Sequence, residues 1–207
     1  MAYLDLATWK HREHFEHFAG FNQPFFSLCA DVDVTAAWAL TRGAAAPSFF
    51  VLSLYAASRA ANIVEAMRTR VRDGRPWVHE RVAISTTVRR ADETFGYARI
   101  EPIEGLPAFA DHAQQVIDAV SAARGLTEPN VDDDVVYHST LPWLRFTSFS
   151  NAMAGRDAIP RVVFGKCVPS GDRMVMPVAL EVHHAVVHGL DAARFYDKLQ
   201  AAIDALT

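Results

Sequence analysis

Residues 161–187 constrain this chain more than any other segment. They hold two strand-length apolar runs, Arg161–Cys167 and Met174–Val187, with Ser170-Gly171-Asp172 between them. Apolar runs of that length bounded by turn residues read as strands, and a Gly-Asp turn folds two of them into a hairpin. Asp73-Gly74, inside Arg72–Arg75, is a second hairpin signal. Phe26–Val34, Val82–Val88, Thr94–Ile100, Val135–Thr140 and Leu144–Phe149 also read as extended, with an acidic turn at Asn130–Asp134.

Helical periodicity marks the remaining segments. Thr8 is placed to cap a helix from Trp9 to about Phe18, and Val34–Thr41 reads as a short helix ended near Gly43. After Pro47, SFFVLSLYAASRAANIVEAM puts Phe50, Leu54, Ala57 and Ala61 on one stripe. Leu106–Arg124 and Asp191–Leu206 complete the set. Strands outnumber helices and are often joined by hairpins. The expected fold is therefore α/β, a mixed and largely antiparallel sheet covered by helices.

Composition narrows the function. The chain has 207 residues, 51% of them apolar, enough to bury a sizeable core. No linker divides it, so residues 1–207 are expected to form a single domain. A net charge of −4 with no basic cluster argues against nucleic acid. No apolar run reaches the ~18 residues of a membrane span, and the N-terminal MAYLDLATWKHREHF lacks a signal-peptide pattern. A cytoplasmic protein is expected. Cys29 and Cys167 are far apart and form neither a disulfide framework nor a zinc motif.

Three stretches carry chemistry. In EVHHAVVHGLDAARF, His184 lies near a strand end beside Gly189. An imidazole there can take a proton from a hydroxyl, since its unperturbed pKa of ~6.5 lies near working pH. A satisfied structural histidine is the alternative. His183 should point to the opposite face, because strand side chains alternate. In LPWLRFTSFS, Thr147 and Ser148 place hydroxyls between Phe146 and Phe149, where one could donate to a developing oxyanion. In WKHREHFEHF, His11, His14 and His17 recur every three residues along a helix. That spacing raises a metal site, but zinc needs converging ligands with further support, and no metal is expected.

These stretches together resemble the chloramphenicol acetyltransferases. TWKHREHF is similar to that family's W-x-R-x-E-H-F, DETFGYARI to its ETFS segment and LPWLRFTSFS to PWVSFTSF. FGKCVPSGDRMVMPVALEVHH is similar to its MGKY…GD run, and EVHHAVVHGLDAARF to QVHHAVCDGFHVARF. The resemblance implies a two-layer α/β sandwich of the CoA-dependent acyltransferase type. It implies a homotrimer with active sites between subunits, and transfer from acetyl-CoA or another acyl-CoA to a small-molecule hydroxyl, chloramphenicol-like or otherwise. His184 would be the general base and Ser148 the oxyanion donor. Phe18, Phe95 and Tyr97 would wall the acceptor pocket, and Lys166 would lie beside the CoA.

The chain also departs from that family. Aspartate is replaced by His188, and its arginine partner by His11, with Arg12 one step later. Losing one member of a buried ion pair strands a charge at ~3–5 kcal/mol, whereas losing both removes penalty and attraction together. His11 and His188 are therefore expected to meet beside His184 and titrate as a coupled pair. The other registers leave Arg12 facing His188, or a metal between the imidazoles. A family threonine aligns with Val163, a pocket aromatic with Val131, and SNAMAGRDAIP is shorter than its counterpart. Each alters the acceptor site, so chloramphenicol is not assumed as substrate. Amine acylation, or a scaffold retained for binding or non-acyl chemistry, stands as the alternative.

Overall fold

The structure is a computed structural model that describes residues 1–43, 46–126, 132–153 and 157–206. Asn130, Val131 and the middle of SNAMAGRDAIP lie outside the described residues. In chain order the elements are β1 (Ala2–Tyr3), α1 (Arg12–Ala19), β2 (Phe25–Asp33), α2 (Thr35–Leu40), α3 (Phe49–Ile63), a 3₁₀ turn at Glu65–Arg68, β3 (Thr69–Arg72) and β4 (Arg75–Val78). There follow β5 (Ala83–Arg89), β6 (Phe95–Ile100), α4 (Leu106–Ala122), β7 (Val135–Thr140), β8 (Arg161–Phe164), β9 (Val168–Ser170), β10 (Arg173–His183) and α5 (Gly189–Asp204).

The main sheet runs β2-β10-β8-β7-β5-β6, with β9 added to β10. Only β7 pairs in parallel, with β5 and β8; the other pairings are antiparallel. The mixed, mostly antiparallel sheet with a helical layer is thus as expected. Asp73 and Gly74 both take positive φ, 49° and 67°, as a tight hairpin between β3 and β4 requires.

α3 is the buried centre of the helical layer. Ser48 caps it by accepting from the Val51 amide at 3.3 Å. Its small residues Ala57, Ala60 and Ala61 are fully buried and let α5 approach closely. It stops at Ile63, four residues earlier than the periodicity suggests. The β-branched pair Ile63-Val64 is a weak helix former, and Asn62 bonds both backbone groups of Val82, tying the helix end to the approach to β5. Arg70, fully buried, then donates to the carbonyls of Met67, Thr69, Asp133 and Val135, fastening the small sheet to the start of β7.

Three expected boundaries move for physical reasons. Thr8 turns its hydroxyl back onto Asp5, so α1 begins at Arg12 with His11 in the N-cap position. β10 ends at His183 rather than Val187, because the chain folds over itself there: the amides of Val186 and Val187 both return to the His183 carbonyl. Leu144–Phe149 is a loop and not a strand. A turn at Leu141–Leu144 carries Pro142, and Phe146 then packs onto Val163 and Ala179. Gly165 permits that approach, since a Cβ there would lie 2.9 Å from the Phe146 ring and 2.6 Å from Pro177. β8 consequently stops at Phe164, short of Cys167.

The sheet has two unlike faces. Ile84, Val136, Val162, Phe164, Val178 and Leu180 pack under the helices. The opposite face, with Cys29, Val163 and Ala179 in one patch, is covered by Phe146, Leu141 and Phe149 of the loop. No helix of the described residues is long and apolar enough to cross a membrane.

Two core histidines make the fold sensitive to acid. His138 bonds Thr86 at 2.9 Å, and burial pushes its pKa down to about 3. Burial likewise takes His183 down to about 4. Once unfolded, both take up protons near ~6.5. Below that pH the unfolded chain binds more protons than the folded one, so stability falls as the pH drops towards 4 and 3. Thermal melts should show the midpoint declining steadily from pH 7 to pH 4. His138→Gln should lessen the slope by one proton's worth, ~1.4 kcal/mol per pH unit; an unchanged slope would contradict the assignment.

Candidate active site

His184 is the first residue past β10, and three constraints fix it. Its amide donates to the Pro24 carbonyl at 2.6 Å, on the chain entering β2. Its ring stacks on Phe18, with centroids 3.9 Å apart and planes 9° from parallel. Phe26 lies 4.7 Å away on the same side of the sheet. A long strand, a turn and an aromatic plate thus set the imidazole's position and tilt. His183 faces the other way, as alternation requires: it meets Phe25 edge-on, and its Nδ1 accepts from the Ala185 amide.

His188 and His11 occupy the N-cap positions of α5 and α1, and the two rings meet with centroids 4.7 Å apart. The expected meeting of these histidines therefore occurs. Arg12, the other register, points along α1 towards Glu16 with a half-exposed side chain. His14 joins the pair, 5.2 Å from His188 and 6.1 Å from His11, which the sequence reading did not anticipate. Its signal was present in the i, i+3 spacing from His11. His17 instead packs on Phe18 and Phe21. His188 also reaches His184, at 5.7 Å. Among the described residues, no group of three His, Cys, Asp or Glu side chains is arranged to hold a metal. Burial first, then Lys10, lowers the pKa of His11; burial first, then His11, lowers that of His188.

The other expected residues lie elsewhere. Ser148 is exposed on the 141–153 loop rather than enclosed in an apolar pocket, and among the described residues no hydrogen bond joins it to His184. Lys166 is exposed in the segment after β8, its amide bonded to the Leu144 carbonyl. Phe95 and Tyr97 meet edge-on at 5.6 Å on β6. Phe18 is not with them, because it lies against His184. From β10 to β6 is four strand spacings, or roughly 19 Å. One chain does not bring the base and these two aromatic walls together.

Beside Tyr97, on the open face of the sheet, is a cavity of about 480 Å³ lined by Thr87, Tyr97, Tyr137, Ser139, Asn151 and Arg161. Sequence reasoning missed most of this lining. Asn151 anchors the loop to Glu181 of β10 through both its amide and side chain. Arg161, 6% exposed, pairs with Asp157 at 2.7 Å. Cys29 and Cys167 are both free thiols.

Two solved structures with this arrangement are described as acetyltransferases. A chloramphenicol acetyltransferase superposes with a TM-score of 0.88 over 98% of this chain and 100% of its own, at 26% identity. A probable dihydrolipoamide acetyltransferase from Listeria monocytogenes shares the fold at a TM-score of 0.71 and 12% identity, over 94% of this chain and 90% of its own. The chain is an acyltransferase of this two-layer type. The sequence model for chloramphenicol acetyltransferase matches residues 1–200. A chloramphenicol acetyltransferase 2 from Escherichia coli is 31% identical over 97% of this chain and 96% of the relative. One from Campylobacter coli is 28% identical over 95% of each. This chain belongs to the chloramphenicol acetyltransferase family.

The stack on Phe18 has a direct spectroscopic test. A ring proton of His184 held over a parallel benzene face feels its ring current. Phe18→Ala should move the His184 ring signals towards those of a free imidazole in a ¹H–¹⁵N correlation spectrum. Unmoved signals would mean that Phe18 does not hold the ring.

Proposed function

We propose that this protein is an acetyl-CoA-dependent O-acyltransferase, working as a homotrimer on the hydroxyl of a small molecule in the cytoplasm, where acetyl-CoA is made and free thiols persist. The observation that carries the reading is the fixed ring of His184, stacked on Phe18 and held at its backbone by Pro24. Such rigidity is what a general base needs, because small misplacements of a reacting group are costly.

His184 takes the proton of the acceptor hydroxyl as the oxygen attacks the thioester carbonyl of the acyl-CoA. The carbonyl becomes a tetrahedral oxyanion, which accepts a hydrogen bond from the Ser148 hydroxyl of a neighbouring copy. The intermediate collapses with loss of the CoA thiolate. The proton held by His184 passes to that sulfur, and no acyl-enzyme forms. Positioning both substrates is worth ~7–11 kcal/mol, a placed base about 10²–10⁴-fold and an oxyanion donor ~3 kcal/mol. Lys166 offers a cation for the CoA phosphates. Phe18 walls the acceptor on the side of the base, with Phe95 and Tyr97 as the wall from the adjacent copy.

The wide strand separation of His184 from Phe95 and Tyr97, and the exposure of Ser148, support a site built by two copies. Val163 is buried where the family carries threonine, so the acceptor is a small hydroxylated molecule, chloramphenicol-like or another antibiotic, and chloramphenicol is one candidate among them.

CoA release from acetyl-CoA, followed with chloramphenicol and a panel of hydroxylated compounds, tests the reading. His184→Ala should abolish transfer. Ser148→Ala should lower kcat by about 10²–10³-fold. Co-expressing the two variants should restore about a quarter of wild-type activity, since random pairing completes that share of interfaces. Full activity in His184→Ala removes the proposed base, and no recovery on co-expression removes the shared site.

A further inference from the structure

His188 has histidines on every side. His11 closes it from the N-terminus of α1, His14 from one turn further along, and His184 from the end of β10. Its Nε2 is buried without a partner among the described residues. Its backbone amide is held by Asp191, whose other oxygen faces Arg194 at 3.3 Å. Two helix N-termini end at this cluster, and each presents positive partial charge.

The charges around the cluster are mixed. Lys10 and His14 approach from the α1 side, Asp191 and Arg194 from α5, and His184 from the turn after β10. The groove behind His11 adds Glu65, Asp197 and Lys198. Asp191 favours a protonated His188, but its carboxylate is shared with the His188 amide and Arg194. His11, His14 and His184 disfavour it, while Lys10, His14 and Arg194 disfavour a protonated His11. Burial acts in the same direction on both His11 and His188.

An Arg–Asp pair at these two positions would hold by attraction at any ordinary pH. Imidazoles hold only while they are neutral. A second proton in rings 4.7 Å apart meets a like charge at contact distance. We infer that His188, packed between His11 and His14, is a positioning residue for His184, and that acid releases it: proton uptake by the imidazole cluster drives its rings apart and frees the ring of His184. The inference rests on the reading of His184 as the base only for its consequence in catalysis. The coupling itself concerns the free protein.

The test follows the ring signals of ¹⁵N-histidine-labelled full-length protein from pH 8 to pH 5, with no substrate present. In the wild type, the His184 signals should follow the two separate steps in which His11 and His188 take up protons, the second at lower pH because the first proton repels it. His188→Asn keeps a good N-cap residue for α5 but takes up no proton. In that variant the two-step response should vanish from His184, leaving at most one simple transition, with an unchanged circular dichroism spectrum. Combining His11→Arg with His188→Asp should return the His184 signals to their wild-type positions at pH 8 and abolish both acid steps. Identical His184 titrations in wild type and His188→Asn overturn the inference. So does a response to one equivalent of Zn²⁺ at pH 8 that locks the three rings, which would assign the cluster to a metal. Failure of His184→Ala to affect turnover would leave this coupling intact while removing its catalytic meaning, so the two readings fail separately.

Discussion

Nine consecutive residues of β10, Val175–His183, pair with β2 on one side, while Val178–Glu181 pair with β8 on the other. Leu180 and Val182 from the same strand are fully buried under the helices. This double pairing fixes where β10 ends, and the end of β10 fixes His184. The turn that follows spends its hydrogen bonds on the His183 carbonyl and on Pro24, leaving His184 little backbone freedom. A strand paired on both edges cannot slip by one residue without turning its whole buried set to the wrong face. The position of the imidazole is therefore secured by the register of the sheet more than by any bond to its ring.

The same alternation gives the sheet a sealed face and an open one. Residues on the helix side are mostly apolar and seal the core, with the bonded pair Thr86 and His138 among them and His184 at its margin. Those on the open side include Thr87, Ser139 and Tyr97, polar groups facing a cavity. The small sheet is held apart from this business by Arg70, whose burial takes its pKa down to about 10 while its donors are absorbed by backbone carbonyls. Next to it, burial works against the charge of Asp133, but hydrogen bonds from His79 and Arg72 outweigh it and hold the carboxyl well below the usual range. These buried charges are satisfied inside one chain. Ser148, Phe95 and Trp143 are not enclosed, which fits a site completed by a second copy, as proposed.

A site held by imidazoles is held differently from one held by an ion pair. A salt bridge is insensitive to modest acid, whereas neutral rings in contact depend on remaining neutral. The aromatic stack on Phe18 does not pass through His188 and gives His184 a second, separate support. The two supports differ in physical origin, and this is why they can be separated experimentally.

Much of this was determined by sequence alone, because it depends on local geometry. Asp73-Gly74 and Gly171 fix turns through positive φ. Period-two alternation fixes the strands and sends His183 and His184 to opposite sides. The ordered motifs from Trp9 onward identify the family. Tertiary structure decided what depends on partners distant in the chain. Leu144–Phe149 has strand-like residues, yet Gly165 lets Phe146 sink onto the sheet and the segment becomes a loop. His14 stays exposed on α1, yet the convergence of the N-termini of α1 and α5 brings its ring to His188, and the same convergence chose His11 over Arg12. Phe18 parted from Phe95 and Tyr97 because strand order, not sequence order, sets distance across a sheet. Local patterns specify elements; only packing between them specifies which side chains meet.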